Sequence, residues 1–293
     1  MARRLVAGIE TGGTHILAQI GELANGKIVD QGQWATGTAE QAAETLLGFL
    51  DPRRAEIAAV GIAAFGPLVI DPSSPDYGKM LATPKPGWAG SNLRAALEER
   101  LGVPVAVDTD VNAAAIAEQT VGAGQGVASV AYVTVGTGIG AGLAIEGRGL
   151  RGALHPEGGH LRLRRRAGDD LPSGCRFHQD CAEGLIAGPA VRRRLGGGDL
   201  RDDPATIDLA ADYLGQLAAS LVLAWSPGRI LWGGGVIRAA PIAEAIQERM
   251  LAELNGYGVG PAVGQPGFCA LAALEHSGLE GAVVMARGLA ELD

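Results

Sequence analysis

One plan is written twice in this chain. Leu5 to Ile9 is a short apolar run, Glu10-Thr-Gly-Gly-Thr14 turns tightly, and Ile16 to Ile20 returns. Ser129 to Val135, Gly136-Thr-Gly-Ile-Gly140 and Ala141 to Ile145 follow the same order. Apolar runs joined by glycine turns predict antiparallel hairpins, with glycine where positive φ is needed. A hairpin heading each half predicts two α/β halves built alike, although the repeat is faint in residue identity.

The rest of the chain fits that division. Lys27 to Trp34 supplies a third strand, Ala39 to Leu50 has helical spacing, and Ile57 to Phe65 reads as a buried strand stopped by Gly66-Pro67. The long loop from Val69 to Asn92 suggests function rather than mere connection. A helix over 92–101 with Ser91 as its cap, a strand over 103–107 and a helix over 111–121 follow. Gly122 to Gly126 reads as a hinge. Beyond the second hairpin the spacing predicts helices over 182–195, 207–224, 241–254 and 280–292, and a strand at Ile230-Leu-Trp232.

Composition excludes several classes. With 293 residues and 47% hydrophobic side chains the chain can bury two cores. The net charge of −8 argues against nucleic-acid binding, and the arginine runs at 162–166 and 192–194 read as solvated faces. No run of about 18 uncharged apolar residues occurs, so no membrane span is expected. The start lacks a signal-peptide pattern and the three cysteines make no disulfide framework, so a cytoplasmic protein is expected.

Two of those cysteines and two of the five histidines fall between residues 160 and 181. His160, Cys175, His178 and Cys181 form a plausible tetrahedral zinc set, and Glu157 in the run HPEGGH lies just ahead of it. The two glycine turns can present N–H groups and hydroxyls to phosphate, as can Gly233-Gly-Gly235, or they can be ordinary hairpin turns. Neither is a dinucleotide fingerprint, because each leads into a strand, and neither is a Walker loop, because the lysine is missing. Asp110 lies where a strand stops and a helix starts: it is either the helix N-cap or a general base. Asp108 is expected to structure the turn.

The order of ETGGT, FGPL, SPDYG, TPKPGW, DTDVNAA, VGTGIGAG, HPEGGH, CRFHQDCAEGLIAGPA, GGGV and SGLEGA resembles the ROK family of sugar kinases nearly end to end. Within it the chain looks most like the bacterial fructokinases, marked by the glutamate of the first turn and the second histidine of the knuckle. The resemblance implies a two-lobed actin-like, ribonuclease-H-like ATPase fold with the zinc knuckle in the second lobe. The lobes would be 1–121, with the helix of 280–293 packing back on it, and 122–279.

The resemblance further implies phosphorylation of a hexose by ATP with Mg²⁺, Asp110 being the catalytic base. Gly66, Asn112, Glu157, His160 and Glu183 match the sugar positions. Gly12, Gly13 and Thr14, then Thr137, Gly138 and Gly140, match the two phosphate loops, with Gly234 and Gly235 beside adenosine. Structural Zn²⁺ would orient His160 towards the sugar, and a homodimer is implied. Glu10 stands where many relatives have aspartate, and His15 where many have lysine, which removes a permanent charge near the phosphates. Fructose is the expected substrate, with glucose or mannose as the alternative. A sugar-responsive repressor of the same family would carry a helix-turn-helix domain ahead of the core, and here the first strand begins by Leu5.

Overall fold

The computed structural model describes residues 4–240 and 242–291. Pro241, expected to open a helix, and Leu292 and Asp293, expected at a helix end, lie outside the described residues. The chain divides into two compact units. One takes Met1–Thr120, Gly147–His155 and Leu274–Asp293; the other takes Val121–Glu146 and Pro156–Ala273.

In the first unit β1 (Leu5–Thr11) is central. On one side lie β2 (His15–Glu22) and β3 (Ile28–Ala35), each antiparallel to its neighbour. On the other lie β4 (Ile57–Ala64) and β5 (Val105–Thr109), both parallel, so the order is β3-β2-β1-β4-β5. Alternation along the strand sends Leu5, Ala7 and Ile9 into one core and Val6 into another with Ala59 and Val283. The larger core is closed by α1 (Ala39–Leu50) and α2 (Leu93–Leu101), through Leu46, Leu50, Leu97 and Leu101. A capping box between Thr38 and Gln41 starts α1. The cap of α2 is Asn92, whose Oδ1 accepts from Ala95 N at 3.0 Å, and not Ser91. Ser91 Oγ is drawn away to Trp88 O at 2.6 Å.

The other face of this sheet receives α9 (Ser277–Ala290), with α3 (Asp110–Val121) beside it. Gly8 and Gly61 are register partners on β1 and β4, and their missing side chains leave a flat place. A Cβ on Gly61 would lie 1.9 Å from Ala282 O, and one on Gly281 would lie 1.9 Å from Ala113 O. Helix backbone therefore rests directly on sheet and helix backbone. Glu118, fully buried on α3, holds the entry to α9 by accepting from Leu274 N at 2.9 Å and Ser277 Oγ at 2.8 Å.

The second sheet is centred on β6 (Ser129–Val135), with β7 (Ile139–Ile145) antiparallel to it and β9 (Arg229–Gly233) parallel. β10 (Cys269–Leu271) and the two-residue β8 (Arg148–Gly149) complete the order β10-β9-β6-β7-β8. Counted from its own first strand, this is the order of the first sheet. The repeat legible in two hairpins is thus a repeat of sheet topology, as the resemblance to an actin-like fold implies.

The stretch over 182–195 is two helices rather than one, α4 (Ala182–Ile186) and α5 (Gly188–Leu195). Ala187 between them is extended, and Pro189, which has no N–H to donate, sits in the first turn of α5. α6 (Pro204–Trp225) is the one described helix long and apolar enough to cross a membrane, although Asp208 and Asp212 interrupt its apolar run. Its buried Ala210, Leu214, Leu217, Ala218 and Leu221 identify a core helix. It packs on α8 (Ala243–Leu254), and the short α7 (Gly235–Ala239) precedes that helix.

Candidate active site

The first glycine turn joins β1 to β2, closed by Gly12 N donating to His15 O at 2.8 Å. Gly13 and Thr14 at its tip are exposed. Gly66 stands close by in the fold: Phe65 N, one residue before it, donates to Thr11 O at 3.1 Å, and the Gly66-Pro67 peptide is cis. Glu10, nearly buried at the end of β1, accepts from Leu279 N in the first turn of α9 at 3.0 Å. Burial raises its carboxyl above the ordinary range, opposed by that hydrogen bond and by the charge of His276.

Asp110 and Asn112 open α3, directly after the edge strand β5. The cap of this helix is Thr109: its Oγ1 accepts from Asn112 N at 3.1 Å. Asp110 is therefore the first helical residue, half-buried, with Oδ1 accepting from Val111 N at 2.9 Å. Asn112 is fully buried and its Nδ2 donates to Asp108 Oδ1 at 2.8 Å and to Leu150 O at 2.9 Å. Asp108 also accepts from Thr109 N at 2.7 Å, so it does structure the turn. Burial nevertheless pushes its carboxyl up to about 6, against the lowering effect of Asn112, Thr109, His155 and Arg151.

In the second unit the donor atoms of His160, Cys175, His178 and Cys181 all lie within 4.8 Å of one another. Cys175 Sγ is 3.7 Å from Nδ1 of both histidines, and Cys181 Sγ is 3.7 Å from His160 Nδ1. Tetrahedral zinc with bonds of about 2.0 Å to nitrogen and 2.3 Å to sulfur sets such edges at roughly 3.5 Å, so the residues fit the ion. Burial pushes the Cys181 thiol up to about 11, and a divalent cation would supply the charge that a thiolate needs there. With Nδ1 in the cluster, His160 Nε2 faces Glu183 Oε1 at 4.0 Å.

Glu183 links the knuckle to the second glycine turn. Its Oε2 accepts from Ile139 N at 3.2 Å, and a Cβ on Gly138 would lie 2.6 Å from the same oxygen. Gly136 O accepts from Gly188 N at 2.7 Å, which fixes α5 against the turn. Thr137 is exposed at the tip, whereas Gly140 lies within β7 opposite Thr134. Gly234 takes φ +88°, and a Cβ there would be 2.5 Å from Val135 O, so the Gly233–Gly235 run and the turn are neighbours. Glu157 is exposed at the head of a single 3-10 turn, Gly158–His160, and His160 N donates to Glu157 O at 3.0 Å.

Three side chains around these groups escaped the sequence reading. Tyr77 Oη donates to Val107 O at 3.0 Å and accepts from Val107 N at 2.8 Å, tying the long loop to the strand that leads to Asp108. His155 Nε2 accepts from Leu68 N at 3.2 Å, and Lys85 Nζ donates to Gly13 O. Scarcity was the available signal, since the chain has five histidines and few lysines.

The pattern of the ROK family matches residues 6–288. A fructokinase of Pediococcus pentosaceus is 36% identical over 255 residues, covering 86% of this chain and 88% of that protein. A ROK hexokinase from Thermus thermophilus superposes with a TM-score of 0.78 at 31% identity, over 99% of this chain and 100% of the other. A ROK glucokinase from Streptomyces griseus, crystallised with glucose and AMPPNP, gives 0.74 at 29% identity over 97% and 99%.

Proposed function

The chain belongs to the ROK family, and from that membership we propose that it transfers the γ-phosphoryl group of ATP to a hexose, converting D-fructose to fructose 6-phosphate. The observation that carries the chemistry is the cap of α3. Thr109 satisfies the helix start, so Asp110 is released from that duty while fixed by its position in the first turn. Its carboxylate accepts the proton of the sugar's primary hydroxyl. The hydroxyl oxygen then bonds to the γ-phosphorus as the bond to ADP breaks, and the charge leaves with ADP. MgATP enters as the nucleotide substrate.

Gly12, Gly13 and Thr14, and likewise Thr137 and Gly138, hold phosphate oxygens by N–H and hydroxyl groups. Gly140 supports the second turn from within β7, and Gly234 and Gly235 lie with adenosine. Glu157, His160 and Glu183 take sugar hydroxyls, with Gly66 and Asn112 shaping the same recognition. Zn²⁺ on His160, Cys175, His178 and Cys181 would fix the knuckle and the tautomer of His160. A homodimer belongs to the same proposal.

Fructose is favoured because the likeness to a fructokinase spans most of both chains. The likeness to a glucokinase supports glucose or mannose as the second reading. A coupled ADP-release assay over a panel of hexoses decides between them: turnover of glucose or mannose without fructose overturns the first. Asp110→Asn is expected to lower kcat at least a hundredfold while sugar binding, read by calorimetry, stays within about threefold. Retained turnover assigns the base elsewhere.

A further inference from the structure

The carbonyls of the first glycine turn are all turned towards internal donors. Thr11 O accepts from Phe65 N, Gly12 O from Thr36 Oγ1, Gly13 O from Lys85 Nζ, Thr14 O from Thr36 N and His15 O from Gly12 N. The N–H groups of Gly13 and Thr14 have no acceptor among the described residues. A turn with its carbonyls occupied and its N–H groups outward offers an anion only positive partial charge.

Lys85 sits on that turn, with Nζ 2.5 Å from Gly13 O. Its own loop is anchored: Trp88 is 1% exposed, its ring packs edge-on against Phe65 at 4.8 Å, and its Nε1 donates to Gly37 O at 3.0 Å. Trp88 N in turn donates to Lys85 O at 3.3 Å. Lys85 pairs with no carboxylate among the described residues, whereas Lys79 is held by Asp76 at 3.1 Å. In a chain of net charge −8 an unpaired ammonium beside two outward N–H groups is a local site for negative charge. The imidazole of His15, on the same turn, is tied through Nδ1 to Thr14 Oγ1 at 3.0 Å.

We propose that Lys85 is the phosphate-binding cation of this turn. An ammonium has three N–H donors, so it can keep Gly13 O and also hold a β- or γ-phosphate oxygen of the nucleotide. The assignment rests on the kinase reading of the same turn, and it gives the TPKPGW segment a role in nucleotide recognition. Lysine acts here as a point charge, and arginine should substitute in part.

The test compares binding of MgATP and AMP to the wild-type chain, Lys85→Met and Lys85→Arg by calorimetry. Lys85→Met should weaken MgATP about ten- to a hundredfold, the range for one charge-assisted hydrogen bond, and leave AMP within about twofold. Lys85→Arg should recover most of the MgATP affinity, and in turnover the loss should appear in KM for ATP more than in kcat. Equal weakening of MgATP and AMP, or none, overturns the proposal, because a merely structural contact would not distinguish the two nucleotides. If the wild type binds MgATP through Lys85 yet phosphorylates no hexose, the sugar-kinase reading fails and this one stands. If hexose turnover persists in Lys85→Met with unchanged KM for ATP, the reverse holds.

Discussion

Replacing Asp108 by asparagine should stabilise the protein at neutral pH relative to acid. Asp108 is 9% exposed in the wild type, and burial lifts its carboxyl from 3.8 to about 6. A folded-state value above the unfolded one means that the folded protein holds this proton more tightly. The stability linked to it is complete below about pH 3.8 and is lost as pH rises through about 6. The rise from 3.8 to about 6, at ~1.4 kcal/mol per tenfold in proton affinity, amounts to about 3 kcal/mol, of which about 2 kcal/mol falls between pH 4.5 and 8. Asparagine does not titrate, and its Oδ1 can keep both hydrogen bonds that Asp108 Oδ1 accepts, from Thr109 N and Asn112 Nδ2. Any fixed loss from an amide NH₂ beside Gly149 is independent of pH. Urea unfolding of both proteins across this range should therefore show the variant gaining about 2 kcal/mol on the wild type as pH rises. A difference that stays flat with pH would refute burial as the dominant influence on Asp108, and one that falls would reverse the sign.

Two other outcomes follow from the packing and the knuckle. Gly61→Ala should cost several kcal/mol, because its Cβ meets the backbone oxygen of Ala282 and not a flexible side chain; thermal unfolding within a few degrees of wild type would disprove the close approach. On the proposed reading of the knuckle, treatment with a chelator should lower the melting temperature and weaken hexose binding at least tenfold, since His160 and Glu183 lose their fixed relation; a folded, metal-free protein of unchanged sugar affinity would contradict this.

The local code made much of this legible. α1 was found end to end because its apolar spacing coincides with a capping box, and both hairpins were found because glycine turns separate apolar runs. The clustering of His160, Cys175, His178 and Cys181 was legible because those residue types are rare. What failed was decided by competition at short range or by contacts at long range. Ser91 and Asn92 are both good caps, and a carbonyl on Trp88 settled which one serves. Ala182 to Leu195 has one helical period, and Pro189 broke it. Tyr77, Lys85 and the two glycines under α9 acquire meaning only beside residues far away in the chain, which no periodicity reports.

The placement of α9 also dictates an order of events during synthesis. The strands β1 and β4 leave the ribosome early, but the helix that covers Gly8 and Gly61 is encoded after the whole of the second unit. That unit, Val121–Glu146 with Pro156–Ala273, has all its residues available while the earlier sheet still lacks its cover over Val6, Ala59 and Ala63. A nascent chain therefore carries an open apolar face for most of its translation, the interval in which chaperones and proteases find their substrates. Loss of the segment from Leu274 onwards would leave the oldest part of the molecule unfinished and the youngest complete part intact.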